Sequence, residues 1–564
     1  MKKFLALVLA MMMLVSVFAG CAKTPANDGN NNQPNTNEPG DNNNGGDTEA
    51  PGPNQLLLPV PQNMADIFPP VWDNYGGVYR MMVFSRLLRL DTDLNPVYKD
   101  LAADFTESED YLTYEFTLRD DVKWHDGEAF TAEDVEYTVK AALRYPETNN
   151  VIKSALAAIE GGADYRDKVS EEIPGLIVEG NKVTFKLSQT SSTFLMVMAQ
   201  LNILPKHLLE NVDPLTMKTD SYWAKPIGTG PWMVDEFVPN DYALLKTFPD
   251  YFGAKPQIEE VKLSYITEAD YVVRTQANEI DYFQTNDYAT AAEIEKNPNY
   301  SVNPVDIYFV RYLMWNSYGP QQNGDDPLSD VRSRRAILHA IDRASIVEQL
   351  MPGAATVIDT KVPPHIKDWY NDDTYKYDYN PEKAKQLLED AGCVMGADGY
   401  YERGGAEIAF TISVMSGEQD RIDIAQAAAQ QLREVGIHCT VDIPAVMDWG
   451  GQMACLIGWG SPFDADDHTY KGFGTDKGAN YSGYSNAEVD EALTKARESS
   501  DPAVRKQYYD EFQVALANNP AYAFICYIDA NYVATSRLHG IAVDTVMGHH
   551  GVGIFWNVET WTLD

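Results

Sequence analysis

From Gln55 onward the apolar positions switch between a two-residue and a three-to-four-residue rhythm. Tyr114 to Lys123 is β-branched and aromatic-rich and reads as a strand, with a turn at Asp126-Gly127. Thr131 with Asp134 three residues later forms a capping-box pattern, opening a helix that must end near Pro146. Val183–Leu187 and Val261–Ile266 are further strands. In the second half, helical spacing recurs at Val331–Met351, Pro381–Ala391, Ile422–Val435, Ala487–Ala496 and Pro502–Ala517. The expected N-caps are Asn380 and Asp501, each before a proline, and Ser485 with Glu488, while Gly392 and Gly436 occupy stop positions. Ile408–Val414 and His438–Ile443 have strand composition. Strands alternating with helices, without an internal repeat, predict mixed α/β lobes with largely covered sheets.

The N-terminal pattern is different. Lys2 and Lys3 precede an apolar run from Phe4 to Phe18, followed by Ala19, Gly20 and Cys21. About fifteen apolar residues fall short of the roughly 20 that a bilayer span takes. The segment 1–20 resembles a lipoprotein signal peptide with its lipobox, which implies lipid modification of Cys21. Residues 21–54 are dominated by Asn, Gly, Pro, Thr and Asp and cannot build a core. They read as a flexible tether with a reach on the order of 30 Å. No later stretch reaches membrane-spanning length, so the body is expected outside the membrane and in water.

Composition narrows the partners. A 564-residue chain that is 44% hydrophobic and 23% charged can hold sizeable cores, and its net charge of -39 repels phosphate backbones and anionic lipid surfaces. Nucleic acid is therefore not an expected partner. Cys393, Cys439, Cys455 and Cys526 show neither CxxC nor zinc spacing and read as buried residues or free thiols; a pairing cannot be assigned from their spacing. HExxH, GxSxG and Walker patterns are absent, although abundant Asp and Glu leave a carboxylate pair open by counting alone. Gly228-Thr229-Gly230-Pro231 has Met233 where a dinucleotide loop needs its third glycine, and reads as a loop before a strand.

Collinear blocks run along almost everything after the tether: TYEFTLRDDVKWHDGEAFTAEDVEYTVK (113–140), GTGPWMVDEFVPNDYALLKTFPDYFGAKPQIEEV (228–261), DVRSRRAILHAIDRASIVEQLM (330–351), YNPEKAKQLLEDAG (379–392) and AAAQQLREVGI (427–437), with WNSYGP before the third and the Trp556–Trp561 ending. In these the chain resembles bacterial solute-binding protein family 5, the peptide- and nickel-binding proteins of ABC importers. The resemblance implies an α/β, two-lobed periplasmic-binding-protein-like clamp (class II, cluster C type) with discontinuous lobes. Lobe one would take 55–310 plus 536–564 and lobe two 311–535, joined by two crossings that permit hinge closure. It further implies a monomeric binding protein, not an enzyme, that needs no cofactor and delivers its ligand to an ABC permease and ATPase complex. An oligopeptide is the implied ligand, with a metal chelate such as a nickel-metallophore as alternative. A receptor presenting ligand to a sensor would need the same clamp.

The segment expected to touch ligand is GWGSPFDADDH, from Gly458 to His468. Its likeness to the WGxPYDP form of the nickel-chelate branch implies Trp459 and Phe463 as aromatic plates, with Ser461 beside them. Pro462 displaces the Asp that pairs a peptide amine in the peptide branch, so Asp464 is the nearest anionic substitute. Cleft loops of the family further imply Tyr75, Asn316 and Met415. The chelate branch's anchoring arginines have no counterpart here beyond Arg144, and TDKGAN stands where its metal-contacting His would be. No metal site is assigned; His468 is the remaining candidate ligand, and His549-His550 need not face one direction. Trp124-His125-Asp126-Gly127 reads as a turn with a packed Trp.

The lipobox reading has a direct test. Cys21→Ser should move the protein out of the membrane fraction while leaving its melting temperature unchanged. Membrane association that survives carbonate washing in this variant would exclude the lipid anchor.

Overall fold

The computed structural model describes residues 54–564 apart from 62–63, 70–71, 73–76, 308, 316–326, 365, 449–452, 461–464, 467–468 and 549–552. Most expected helix ends are realised by side-chain caps. The Asp134 carboxylate accepts from the Thr131 N–H at 2.8 Å at the start of the Ala132–Arg144 helix, which stops before Tyr145 and Pro146. Asn380 and Asp501 cap the Pro381–Asp390 and Pro502–Asn518 helices, and Gly392 and Gly436 adopt φ of +84° and +91°.

Three details differ from the sequence reading. The strand expected over 114–123 covers only Thr113–Leu118, and Lys123 makes an isolated bridge to Ala129 across the turn. The segment 331–351 is two helices, Val331–Ala340 and Arg343–Leu350. Asp342 ends one and caps the other, accepting from the Ser345 N–H at 3.0 Å and its hydroxyl at 2.7 Å. The break turns the buried Arg343 guanidinium inward, where it donates to the carbonyls of Ile358 and Phe524 and pairs with Asp359. The cap of the Ala487–Arg497 helix is Asn486, whose side chain accepts from the Glu488 and Val489 N–H groups; Ser485 instead meets the Thr475 hydroxyl.

Four larger sheets organise the chain. Gln55–Val60 pairs in parallel with Glu260–Tyr265, followed by Tyr242–Thr247 and Trp232–Val238. Ala102–Glu107, Thr113–Leu118, Lys182–Lys186 and Leu176–Glu179 form an antiparallel sheet. A third sheet runs Tyr282–Thr285, Ala530–Thr535, Tyr300–Ile307, Val546–Met547, and a six-stranded one runs Ala355–Val357, Tyr522–Ile528, Phe309–Trp315, Ala454–Gly460, Ala409–Ser413, His438–Asp442. The central Phe309–Trp315 strand is buried at every position because helices cover both faces of this sheet. Leu313, Trp315 and Leu456 face Ile337, Leu388 and Leu432, while Val310, Tyr312 and Cys455 face Leu493, Phe512 and Leu516.

The third and the six-stranded sheets share a strand pair. Tyr300–Ile307 continues after one residue as Phe309–Trp315, and Tyr522–Ile528 continues after Asp529 as Ala530–Thr535. The two paths are antiparallel partners on both sides, with Val305 opposite Ala530 and Val310 opposite Tyr527.

The WHDG string and the GTGP loop form one structural clasp. Trp124 is fully buried and its indole N–H donates to Asp134 at 3.3 Å. The Gly228 N–H donates to His125 Nδ1 at 3.1 Å, so the ring proton sits on Nε2, which donates to the Gly230 carbonyl at 3.0 Å. A Cβ at Gly228 would lie 1.8 Å from the Val83 carbonyl oxygen, which is why glycine stands there. The four described cysteines are buried and form no disulfide with one another, and burial pushes the Cys439 and Cys526 thiols up to about 12.

Burial also lowers His125 from 6.5 to about 4. The unfolded chain takes up this proton below pH 6.5 and the folded chain does not until about pH 4, so the associated stability is intact above 6.5 and lost as pH falls towards 4. The loss is at most about 3 kcal/mol. His125→Gln should flatten the dependence of melting temperature on pH across this window relative to wild type; parallel profiles would show that the ring titrates normally.

Candidate ligand-binding cleft

The strands Ala409–Ser413, His438–Asp442 and Ala454–Gly460 run in the same direction, so their carboxyl ends share one edge of the six-stranded sheet. The amino ends of the Phe309–Trp315 strand and of the Gln419–Glu434 helix lie at that edge too. Ligands of open α/β sheets bind outside such an edge. Two expected contact residues meet here: Met415, 39% exposed, follows the first of these strands, and Trp459 sits near the end of the third.

Trp459 is half-buried. Its ring packs against Gly472, where a Cβ would sit 3.4 Å from it, and lies nearly parallel to the exposed Tyr481 ring at 6.0 Å. Its carbonyl accepts from the buried Lys361 ammonium at 2.9 Å. Strand alternation sends Arg311, paired across the ladder with Gly458, to the opposite face. A Cβ at Gly458 would come within 2.3 Å of Arg311 Nη1 and 2.8 Å of the Phe309 ring, so this glycine admits the Arg311 guanidinium stacked over Phe309 at 4.4 Å. Arg311 is 3% exposed, and Nε and Nη2 both donate to Asp420 Oδ2, at 2.8 and 2.7 Å. Arg421 follows on the same helix turn; burial, and secondarily the Arg311 charge, hold its pKa below the usual value, while it pairs with Glu418 at 3.2 Å.

The described part of the Gly458–His468 string is anchored from below. Asp466 is buried, accepts from Arg497 Nε at 3.1 Å and meets the Tyr509 hydroxyl at 3.4 Å. Arg497 in turn lies over the Tyr470 ring, and its carbonyl accepts from the Thr190 hydroxyl at 3.3 Å, joining this body to the antiparallel-sheet region. Of the other expected contacts, Tyr75, Asn316, Ser461, Phe463, Asp464 and His468 lie outside the described residues, as do Cys21, His549 and His550. Arg144 is committed elsewhere: it donates to the Tyr165 and Ser170 carbonyls, pairs with Glu171 and covers the Tyr165 ring. Among the described residues no group of three or more His, Cys, Asp or Glu is placed to hold a metal ion.

The model of bacterial extracellular solute-binding proteins, family 5 Middle, matches residues 96–481. The chain belongs to this family. The family 5 chain is 30% identical over 507 residues to the oligopeptide-binding protein AppA of Bacillus subtilis, covering 86% of each chain. Among solved structures it resembles NikZ from Campylobacter jejuni in complex with Ni(L-His), with a TM-score of 0.75 and 31% identity over 91% of this chain and all of that one. It also resembles Bacillus subtilis AppA in complex with a nonapeptide, with a TM-score of 0.71 and 26% identity over 90% of this chain and 99% of that one. The two-lobed clamp expected from the sequence is thus the fold of this family 5 protein. Among the described residues, no helix is long and apolar enough to cross a membrane.

Sequence reasoning missed Arg311, Asp420 and Lys361. The signal for Arg311 was present in FVRYLMW, a single charge inside an otherwise apolar strand, which demands a buried partner. Asp420, 37% exposed, is partly screened by water, so Asp420→Asn should cost about 1 kcal/mol of stability, read as a lower urea midpoint at unchanged slope. Arg311→Met added to Asp420→Asn should recover part of the loss. An unchanged midpoint for Asp420→Asn would show that the pair contributes nothing to stability.

Proposed function

We propose that this family 5 protein is the extracytoplasmic substrate-binding component of an ABC importer, capturing an oligopeptide by hinge closure and delivering it to a membrane permease. The observation that carries this reading is the match to an oligopeptide-binding protein along 86% of both chains. In this reading lobe one comprises 55–310 plus 536–564 and lobe two 311–535. The pairing of Ala530–Thr535 with Tyr282–Thr285 and Tyr300–Ile307 favours drawing the return crossing at Asp529. Trp459 and Met415 form one cleft wall with Ser461, Phe463 and Asp464, while Tyr75 and Asn316 contribute from the facing loops. Cys21 carries the lipid, the 21–54 tether supplies reach to the transporter, and the protein acts as a monomer without catalysis.

A second reading, capture of a metal chelate such as a nickel-metallophore, is favoured by the likeness to NikZ in complex with Ni(L-His). The commitment of Arg144 to Tyr165, Ser170 and Glu171 weighs against it, because Arg144 was the one counterpart in the sequence of the chelate branch's anchoring arginines.

Native mass spectrometry of the gently purified protein should reveal a retained peptide, and small-angle scattering should show a smaller radius of gyration once peptide is added to ligand-free protein. Trp459→Ala should weaken that peptide by about 2 kcal/mol, roughly thirtyfold. Asp464→Asn should weaken peptides with a free amine more than blocked ones. A retained nickel chelate with no peptide binding by calorimetry would replace the first reading with the second. Wild-type affinity in a folded Trp459→Ala protein would remove this wall from the site.

A further inference from the structure

A cavity of about 610 Å³ lies between the antiparallel-sheet region and the start of the Pro502–Asn518 helix, and neither Trp459 nor Met415 lines it. One wall comes from the antiparallel-sheet region, with Glu107, Tyr111, Tyr114 and the 191–196 segment. The opposite wall is formed by 366–369 and the start of the Pro502–Asn518 helix, including Trp369 and Arg505. Asp306 and the 544–546 segment contribute from beside the strand pair that passes between the sheets. The volume is that of a small-ligand pocket, enough for one or two long side chains with part of their backbone.

Its chemistry is asymmetric. Tyr111, Tyr114, Trp369, Leu195 and Met196 provide ring and apolar surface. Five carboxylates, Asp93, Glu107, Asp306, Asp368 and Asp544, line it against two cations, Lys367 and Arg505. Arg505 is 5% exposed and already stacked over Trp369 at 4.7 Å, with Nη2 near the Tyr509 hydroxyl at 3.4 Å, so its charge belongs to the wall. Asp306 stands on the Tyr300–Ile307 strand just before one crossing, and Asp529 is the residue at the other. Asp529 Oδ1 is buried without a hydrogen-bond partner. Burial first, and then the Asp306 charge, push the Asp529 carboxyl up to about 6, and the neighbouring Tyr527 hydroxyl is raised mainly by burial, with Asp529 and Asp306 adding to the shift. The Asp306 charge thus acts on Asp529 from the acidic lining of the cavity.

We propose that this cavity is a subsite for a cationic group on an aliphatic stem, the ammonium or guanidinium of a lysine or arginine side chain. The inference rests on the peptide-binding reading above and narrows it to basic peptides. The stem lies along Tyr111 and Tyr114, whose rings attract a cation as well as apolar surface. The charged head meets Asp306 and Glu107.

The test is calorimetric titration of the full soluble chain with alanine-based pentapeptides that differ at one position, carrying lysine, its neutral isostere norleucine, or glutamate. The lysine peptide should bind about tenfold or more tighter than the norleucine peptide, and the glutamate peptide weaker than both. In Glu107→Gln/Asp306→Asn the lysine-to-norleucine ratio should fall to within about twofold. Should the double variant fail to fold, Glu107→Gln alone, on the exposed end of its strand, should still lower the ratio. At pH 6 the lysine peptide should release protons on binding, because a nearby cation favours the ionised Asp529; titrations in buffers of different ionisation enthalpy read this directly, and Asp529→Asn should abolish it. Equal affinity for lysine and norleucine peptides in the wild type, or a lysine preference that persists in the variants, overturns the subsite while leaving peptide capture standing. Binding of none of the three peptides, with melts showing a folded protein, overturns peptide capture and the subsite with it.

Discussion

The arrangement depends on one backbone constraint, the antiparallel strand pair whose partnership in the third sheet resumes in the six-stranded one. Because Val305 stays opposite Ala530 and Val310 opposite Tyr527, ladder hydrogen bonds hold both sides of the passage. The same constraint explains why a long internal stretch returns to the place it left. An insertion between two partnered strands must begin and end at neighbouring points, and here the insertion is a whole α/β body with helices on both faces of its sheet.

That body presents two chemistries at one edge through simple alternation. Residues of one parity on the Phe309–Trp315 and Ala454–Gly460 strands look towards the Gln419–Glu434 helix, those of the other towards the helices Ala487–Arg497 and Pro502–Asn518. Arg311 and Trp459, close in the ladder, therefore emerge on opposite faces. The arginine is consumed by Asp420 and Phe309, leaving the tryptophan, backed by Gly472 and Tyr481, as the aromatic surface at the edge.

Local signals in the sequence account for most of the elements, because caps act over three or four residues and report themselves. Thr131 with Asp134, Asn380 and Asp501 all cap where the pattern puts them. The failures also have local causes. Asp342 competes with helix continuation by bonding Ser345, and Asn486 is a better acceptor placed one residue beyond Ser485. The cleft was legible only in part. Trp459 and Met415 lie at one edge of the six-stranded sheet, but Arg311, Asp420 and Lys361 are joined over long sequence separations that no local pattern encodes. The acidic cavity was invisible for the same reason, since its walls come from residues 93 to 546.

The four described thiols have a consequence for life outside the cytoplasm. With no disulfide among them, folding does not wait on an oxidant or on shuffling between wrong pairings. Each is sealed inside a packed layer, and those of Cys439 and Cys526 are held almost wholly protonated near neutral pH, so the folded protein offers oxidants little nucleophilic sulfur. These cysteines become chemically visible only when the layer around them opens, which makes them built-in clocks for the breathing of the two helical faces that flank the cleft.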